Sequence, residues 1–226
     1  MARIDMRATL PRADWDIGHL GPKTSVTVHW NGPPVPTNLT PRAMVEADAR
    51  FHISKDWSPE PGVQGGDGIM YHRLYAPNGD VFLTREDDAV LWACGNAEGN
   101  RTSLHVQVMI GEGQHPSAAA LWSLGRDLRA LALPVRPHRF WSLTQCPGDE
   151  LAAWVAQEPW KEADVGLTEE QIREIAKDEA RAVILNEPHL ITTAIGKDYG
   201  PKLEAELRAR DERTLAAAVA AVRESG

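Results

Sequence analysis

The sequence of 226 residues contains little cysteine and no long hydrophobic run. Cys94 and Cys146 are the only two cysteines, which excludes a fold held together by several disulfides. No stretch of about 20 consecutive apolar residues is present, so the sequence predicts no helix inserted in a membrane. Residues 1–20 carry charges throughout and lack the apolar centre of a secretory signal, so we expect no signal peptide.

Basic residues are also in deficit. The chain has 24 Lys and Arg against 32 Asp and Glu, a formal net charge of -8. Proteins that bind nucleic acid usually carry a basic patch or run, and none is visible here. The composition therefore predicts a partner other than nucleic acid.

The pattern of apolar residues predicts an α/β domain. In residues 25–30, apolar and polar side chains alternate as in a strand, and residues 103–110 form another predicted strand. Asn78-Gly79, between the β-rich residues 69–75 and 80–84, is typical of a β-hairpin turn. Helices are predicted after the cap Thr40 to about residue 56, over 117–131 and over 149–157, with a short strand at 133–135. Strands interleaved with helices favour a central mixed β-sheet flanked by helices.

The composition divides the chain near residue 162. Residues 1–162 hold all the patterns above, preceded by what we interpret as an irregular leader over 1–23. Residues 163–226 contain no Trp and are rich in Ala, Glu and Arg. A capping box at 168–171 and a second apolar pattern over 201–223 predict an α-helical C-terminal region.

Three residues form a candidate metal site. His138 and Cys146 lie on one predicted loop, and His29 ends the strand 25–30. Imidazole and thiolate are both good zinc ligands, and three protein ligands leave a fourth tetrahedral position open for water. That arrangement is typical of a catalytic zinc (Zn²⁺) rather than a structural one. Cys94 is then left as a single thiol, interpreted as buried.

These residues occur in stretches by which the chain resembles the zinc-dependent N-acetylmuramoyl-L-alanine amidases. That superfamily includes phage amidase-type lysozymes and the peptidoglycan recognition proteins. The stretches, which span roughly residues 20–158, are VTVH at 26–29, GIMYH at 68–72 with NGDVFLTR at 78–85, NRTSLHVQVMIG at 100–111, and HRFWSLTQCPGD at 138–149. The resemblance implies a central sheet with zinc at one edge, held by His29, His138 and Cys146. It also implies hydrolysis of the amide between N-acetylmuramic acid and L-alanine.

Two further residues match catalytic positions of that superfamily. Tyr71 stands where the family keeps a tyrosine near the metal, and its phenol can bond the attacking water or the oxyanion; the alternative is a tyrosine packed in the core. Thr144 resembles the threonine of active peptidoglycan recognition proteins, where many phage amidases have Lys. A neutral hydroxyl should stabilise the oxyanion less than Lys does. The alternative for Thr144 is a bond to the local backbone.

Three residues are candidates for substrate binding. Trp30 follows the first ligand and could line the groove. Asn100 could bond either backbone or substrate. His105 lies mid-strand, where the family often has a small residue, and its side chain could reach the cleft.

Three others have structural interpretations. His72 should point to the face of its strand opposite Tyr71. Arg85 is expected to form an ion pair. Asp149 is expected to cap the helix 149–157, the alternative being a bond to a metal-ligating histidine.

The sequence and the resemblance together predict bacterial peptidoglycan as the partner and a phage endolysin as the kind of protein. Without a signal peptide, such an endolysin stays in the host cytoplasm before its release to the cell wall. The alternative is a non-catalytic recognition module, but such members typically lose the cysteine ligand, whereas Cys146 is present. The region 163–226 could target the cell wall or mediate self-association.

Overall fold

The computed structural model describes residues 1–36, 38–55 and 66–161, and the predicted helices of 163–226 lie outside this part. The strands are β1 Arg3–Asp5, β2 Ser25–Trp30, β3 Arg73–Tyr75, β4 Val81–Leu83, β5 Ser103–Val108 and β6 Val135–Pro137. The α-helices are α1 Pro41–Ser54, α2 Ala97–Thr102, α3 Ala118–Leu131 and α4 Asp149–Gln157. Short 3-10 helices cover His138–Phe140 and Pro159–Lys161.

The strands form one six-stranded sheet in the order β1-β4-β3-β5-β2-β6. The hairpin pair β3–β4 is antiparallel, and the other neighbouring strands are parallel. This confirms the predicted mixed sheet flanked by helices. Within the described ranges, no helix has the length and apolar character needed to cross a membrane.

The two central strands β2 and β5 divide their side chains between the two faces of the sheet. Val28 and Val106 pair in register and belong to the buried cluster that contains Leu124 and Leu128 of α3. Burying each such side chain contributes roughly 1.5–3 kcal/mol. His29 therefore points to the opposite face, where α1 packs through a second buried cluster. The candidate site lies on this α1 face.

The predicted starts of two helices and the predicted turn are confirmed. The Thr40 hydroxyl accepts a hydrogen bond from the Ala43 N–H at 3.2 Å, ahead of Pro41. Ser117 caps α3 in the same way. At the Asn78-Gly79 turn, Gly79 has a φ of +83°, a conformation that glycine adopts without steric cost.

The leader is the clearest correction, because residues 1–23 are not all irregular. β1 pairs with β4, and Met6 and Leu10 are buried in the second core cluster. A three-residue strand is too short to show periodicity, and its pairing with β4 is a long-range contact. The predicted strand at 133–135 is also shifted, to Val135–Pro137, because Val135 pairs with Val26. Pro137 is tolerated there because β6 is an edge strand.

Candidate metal centre

Three separate segments bring the predicted ligands together. His29 is near the end of β2, and His138 begins the 3-10 helix that follows β6. Because β6 runs parallel to β2, both histidines emerge at the same edge of the sheet. The loop before α4 supplies Cys146, and ligand atoms of the three residues lie within 4.8 Å of one another.

The geometry of this cluster fits a zinc ion. Donor atoms about 2.0–2.3 Å from a tetrahedral zinc stand roughly 3.5 Å apart, and His29 Nδ1 lies 3.8 Å from Cys146 Sγ. His138 Nε2 is 3.1 Å from the Ser142 hydroxyl. Its Nδ1 is buried and has no hydrogen-bond partner among the described residues, which leaves that nitrogen available as a ligand.

Burial sets the protonation states of the three residues. It lowers the pKa of His29 well below 6.5, and it lowers the pKa of His138 as well. Both imidazoles are therefore neutral, as metal ligation requires. Burial raises the pKa of the Cys146 thiol to about 12, although the Trp30 N–H acts in the opposite direction. Binding of a divalent cation would have to displace the thiol proton.

The loop that carries His138 and Cys146 is attached to β2 at two points. Trp141 Nε1 donates to the Thr27 hydroxyl at 2.9 Å, and the Trp30 N–H donates to Cys146 Sγ at 3.4 Å. The chain then turns at Gly148, with a φ of +85°. A Cβ on that glycine would lie 2.7 Å from the Trp30 ring, so this packing requires glycine.

Tyr71 lies beside the cluster. Its ring centroid is 5.2 Å from that of His29 and 5.5 Å from that of His52. Burial raises the pKa of Tyr71, and the charges of Cys146 and Asp48 act in the same direction. The phenol therefore keeps its proton and remains a hydrogen-bond donor.

Thr144 lies in the metal loop itself. Its hydroxyl accepts a hydrogen bond from the Cys146 N–H at 3.2 Å. This is the bond to the local backbone that the sequence offers as the alternative role of Thr144. A hydroxyl can donate and accept at the same time. The proton of Thr144 therefore remains available for a ligand.

The three predicted substrate contacts lie in different surroundings. Trp30 lies on the sheet face opposite His29, where it packs against Gly148 and the buried cluster that contains Leu124 and Leu128 of α3. Asn100 Oδ1 accepts from the Cys94 N–H at 2.9 Å. His105 has 0% exposure, and its Nδ1 lies 3.1 Å from His29 Nε2. None of the three is an exposed side chain beside His29, His138 and Cys146.

The structural interpretations have mixed outcomes. Arg85 forms the expected ion pair, which is buried, with Asp67 at 2.6 Å. His72 is fully buried and bonds the Ala89 carbonyl, which fits its structural interpretation. Strand β3 begins only at Arg73, so the orientation of His72 opposite Tyr71 stays a prediction. The predicted cap Asp149 is wrong. Gly148 holds the cap position without a side-chain bond. The Asp149 carboxylate pairs instead with Arg139 at 2.8 Å, because it lies one residue too far along the helix to cap it.

Sequence reasoning missed a polar group on α1. Asp48 and His52 stand one helical turn apart, and His52 contacts Tyr71. Burial raises the pKa of Asp48 to about 6, against the opposing effect of a hydrogen bond with Gln107. Asp48 and His52 are four residues apart, so they share one face of the helix. That face continues from the buried Met44 and Val45, and this pattern could have predicted a polar pair facing the sheet.

Solved structures share this fold. Drosophila peptidoglycan recognition protein LB is 21% identical, with a TM-score of 0.54, covering 70% of this chain and 94% of that one. Drosophila peptidoglycan recognition protein SD is 19% identical, with a TM-score of 0.57 over 73% and 98%. The endolysin of Thermus scotoductus bacteriophage Ph2119 is 22% identical, with a TM-score of 0.51 over 69% and 97%.

These similarities establish the fold of the chain. It is the fold of the peptidoglycan recognition proteins, found also in a phage endolysin. No protein-family model matches the sequence, and no curated protein matches it either.

Proposed function

We propose that the protein is a zinc-dependent N-acetylmuramoyl-L-alanine amidase. It hydrolyses the amide between N-acetylmuramic acid and L-alanine in bacterial peptidoglycan. The observation that carries this proposal is the convergence of His29, His138 and Cys146 within 4.8 Å. The fold supports the substrate class, since peptidoglycan recognition protein LE shares it and was solved with a monomeric diaminopimelic acid-type peptidoglycan.

The residues of the site divide the chemistry between them. Zinc, when bound, polarises a carbonyl and lowers the pKa of a bound water. His29 and His138 would hold it as neutral imidazoles and Cys146 as a thiolate. This set leaves one tetrahedral position open, as in catalytic rather than structural zinc sites.

Two hydroxyl groups would act on the substrate. Tyr71 keeps its proton because burial raises its pKa, so it would donate a hydrogen bond to the oxygen that becomes negative. The Thr144 hydroxyl accepts from the Cys146 N–H, and its proton would be directed to the same oxygen. Such preorganised donors stabilise developing charge strongly where water is excluded.

The decisive experiment is mass spectrometry of purified peptidoglycan after incubation with the protein, with and without a zinc chelator. Chelator-sensitive release of intact stem peptides from the glycan chains would support the amidase and identify its bond. The matched variant is Cys146→Ser, which keeps the size of the side chain but removes the thiolate. It should lose both zinc and cleavage.

The contrary result would favour another function. If the wild-type protein binds zinc and peptidoglycan but leaves the polymer intact, the protein is a recognition module. Full cleavage by Cys146→Ser would contradict the ligand assignment itself.

We further propose that this amidase is a phage endolysin that acts on the wall after release from the host cytoplasm. The shared fold of the Ph2119 endolysin supports this assignment. Cells that express the protein should lyse when their membrane is permeabilised and remain intact before that. Lysis without permeabilisation would contradict cytoplasmic retention.

A further inference from the structure

Behind the candidate metal centre, three buried histidines contact one another in series. His29 Nε2 lies 3.1 Å from His105 Nδ1. The His105 backbone N–H donates to His72 Nδ1 at 2.8 Å, and His72 Nε2 lies 3.1 Å from the Ala89 carbonyl oxygen. The His105 ring packs between the other two, with centroid distances of 5.2 Å and 5.9 Å. The three rings are at most 1% exposed, so solvent does not set their proton positions.

The surroundings of His105 decide which of its nitrogens carries the proton. In a contact between two neutral imidazoles, one nitrogen donates and the other accepts. The backbone carbonyls of Gly99 and Asn100 also interact with the His105 ring, and a carbonyl can only accept. Its Nε2 is buried without an aligned hydrogen bond to any described residue. Carbonyls beside the ring favour the form that directs an N–H at them, and Nε2 is the nitrogen that the contact with His29 leaves for this proton.

This proton position fixes the form of His29. With its proton on Nε2, His105 presents Nδ1 as an acceptor, so His29 must donate from its own Nε2. His29 Nδ1 then keeps a free lone pair, and this is the atom 3.8 Å from Cys146 Sγ. The opposite arrangement would place a proton on His29 Nδ1 and prevent that nitrogen from binding a metal.

We propose that His105 is a positioning residue, which fixes the tautomer and ring orientation of His29 so that Nδ1 serves as the metal ligand. The inference rests on the proposed role of His29 in the amidase. This role replaces the substrate contact considered for His105 from the sequence, because a side chain with 0% exposure is unsuited to contact a substrate. Histidine ligands commonly donate their other ring N–H to such a partner, and loss of the partner typically costs 10–100-fold in metal affinity.

Two substitutions separate this role from simple packing. His105→Asn places an amide oxygen near the position of Nδ1 and keeps the acceptor. His105→Leu fills a similar volume without any acceptor. If His105→Leu does not fold, His105→Gln replaces it, because its amide reaches the region of Nε2 and leaves no acceptor opposite His29. His115→Leu, at an exposed histidine whose side chain is 83% accessible, is the control.

The first measurement is ¹⁵N NMR of the histidine rings in the metal-free protein. We expect the Nε2–H form of His29 in the wild-type protein and in His105→Asn, and a mixture of forms in His105→Leu. The second measurement is zinc affinity by chelator competition. His105→Leu should bind zinc about 10–100-fold more weakly, whereas His105→Asn and His115→Leu should stay close to the wild-type protein.

The outcomes distinguish this inference from the proposed function. A folded His105→Leu protein with wild-type zinc affinity, or an Nδ1–H form of His29 in the wild-type protein, would overturn the positioning role. Tight zinc binding without cleavage of peptidoglycan would overturn the amidase and leave the positioning role intact. A wild-type protein that binds no zinc would overturn the metal site, and the role of His105 with it.

Discussion

At the scale of the residue, Thr144 combines a structural and a proposed catalytic bond in one hydroxyl. Its oxygen accepts from the Cys146 N–H at 3.2 Å, which leaves its proton for the substrate. Thr144→Val should therefore lower kcat about 10²–10³-fold, the usual effect of losing one oxyanion donor. Steady-state kinetics on soluble muropeptide, with zinc content measured in parallel, would check this.

Two further variants test whether the effect of Thr144→Val comes from loss of the hydroxyl group. Thr144→Ser keeps the hydroxyl and should keep most of the activity. Thr144→Lys should keep or raise it, because a positive charge stabilises the oxyanion more than a neutral hydroxyl does. A zinc-loaded Thr144→Val protein with full kcat would show that the hydroxyl serves only the loop.

Another prediction at this scale concerns the ion pair of Asp67 and Arg85, whose side chains are 2% and 1% exposed. Asp67→Asn leaves the guanidinium charge buried without compensation, which should lower the free energy of unfolding by about 3–5 kcal/mol. Urea denaturation followed by tryptophan fluorescence would measure the loss. The exposed pair of Arg42 and Glu46 is the control, and Glu46→Gln should cost less than about 1 kcal/mol. Equal effects of the two substitutions would refute the role of burial.

At the scale of the element, helix α3 ends in a residue of unfavourable conformation. Ala132 has a φ of +52° at the C-cap, in the left-handed region, which costs non-glycine residues roughly 1–2 kcal/mol. Ala132→Gly should therefore raise the free energy of unfolding by about 1 kcal/mol. Ala130→Gly, at an exposed position inside the same helix, should lower it by about 1 kcal/mol. The two melting temperatures should shift in opposite directions; shifts of the same sign would contradict this account.

The elements themselves differed in how well sequence patterns identified them. Strand β2, helix α3 and the Asn78-Gly79 turn were predicted correctly because their signals are local: alternation, an apolar stripe and a turn dipeptide. Strands β1 and β6 were missed or misplaced. Each has three residues, and each exists because a neighbouring strand offers backbone partners.

At the scale of the whole molecule, the buried histidines make the fold sensitive to acid. Burial lowers the pKa of His52 to about 4 and of His105 to about 3, and it lowers those of His29 and His72 well below 6.5. Below pH 6.5 the unfolded chain therefore binds more protons than the folded protein, so stability falls as the pH falls. Burial lowers the pKa of His138 as well. Asp48, whose pKa burial raises to about 6, and His19, whose pKa its hydrogen bond with Asp88 raises, act in the opposite direction, but these two groups oppose five imidazoles.

We therefore expect the free energy of unfolding of the metal-free protein to decrease from pH 7 to pH 5. Each buried histidine contributes up to about 1.4 kcal/mol per pH unit. Urea denaturation in the presence of chelator would test this. Tryptophan fluorescence reports on the domain that holds the site, because all eight tryptophans precede residue 161. Constant or increasing stability over this range would show that the histidines do not enter the fold as neutral groups.

The sequence alone determined which residues are candidates for the metal centre. His29, His138 and Cys146 are residue types that bind zinc, and they stand in motifs that resemble those of the zinc amidases. They could be selected as candidates because residue identity and loop motifs are local properties. Tyr71 and Thr144 were likewise available from motif positions. The α/β class followed from alternating and helical patterns, which are local as well.

Only the tertiary structure decided how these groups are used. His105 meets His29 because β5 lies beside β2, with Thr27 in register with His105, and no local pattern specifies the register of two strands far apart in sequence. That contact occupies Nε2 of His29 and leaves its Nδ1 facing Cys146. Pairing and burial are non-local, so the proposed choice of ligand atom depends on the folded chain and not on any single segment of it.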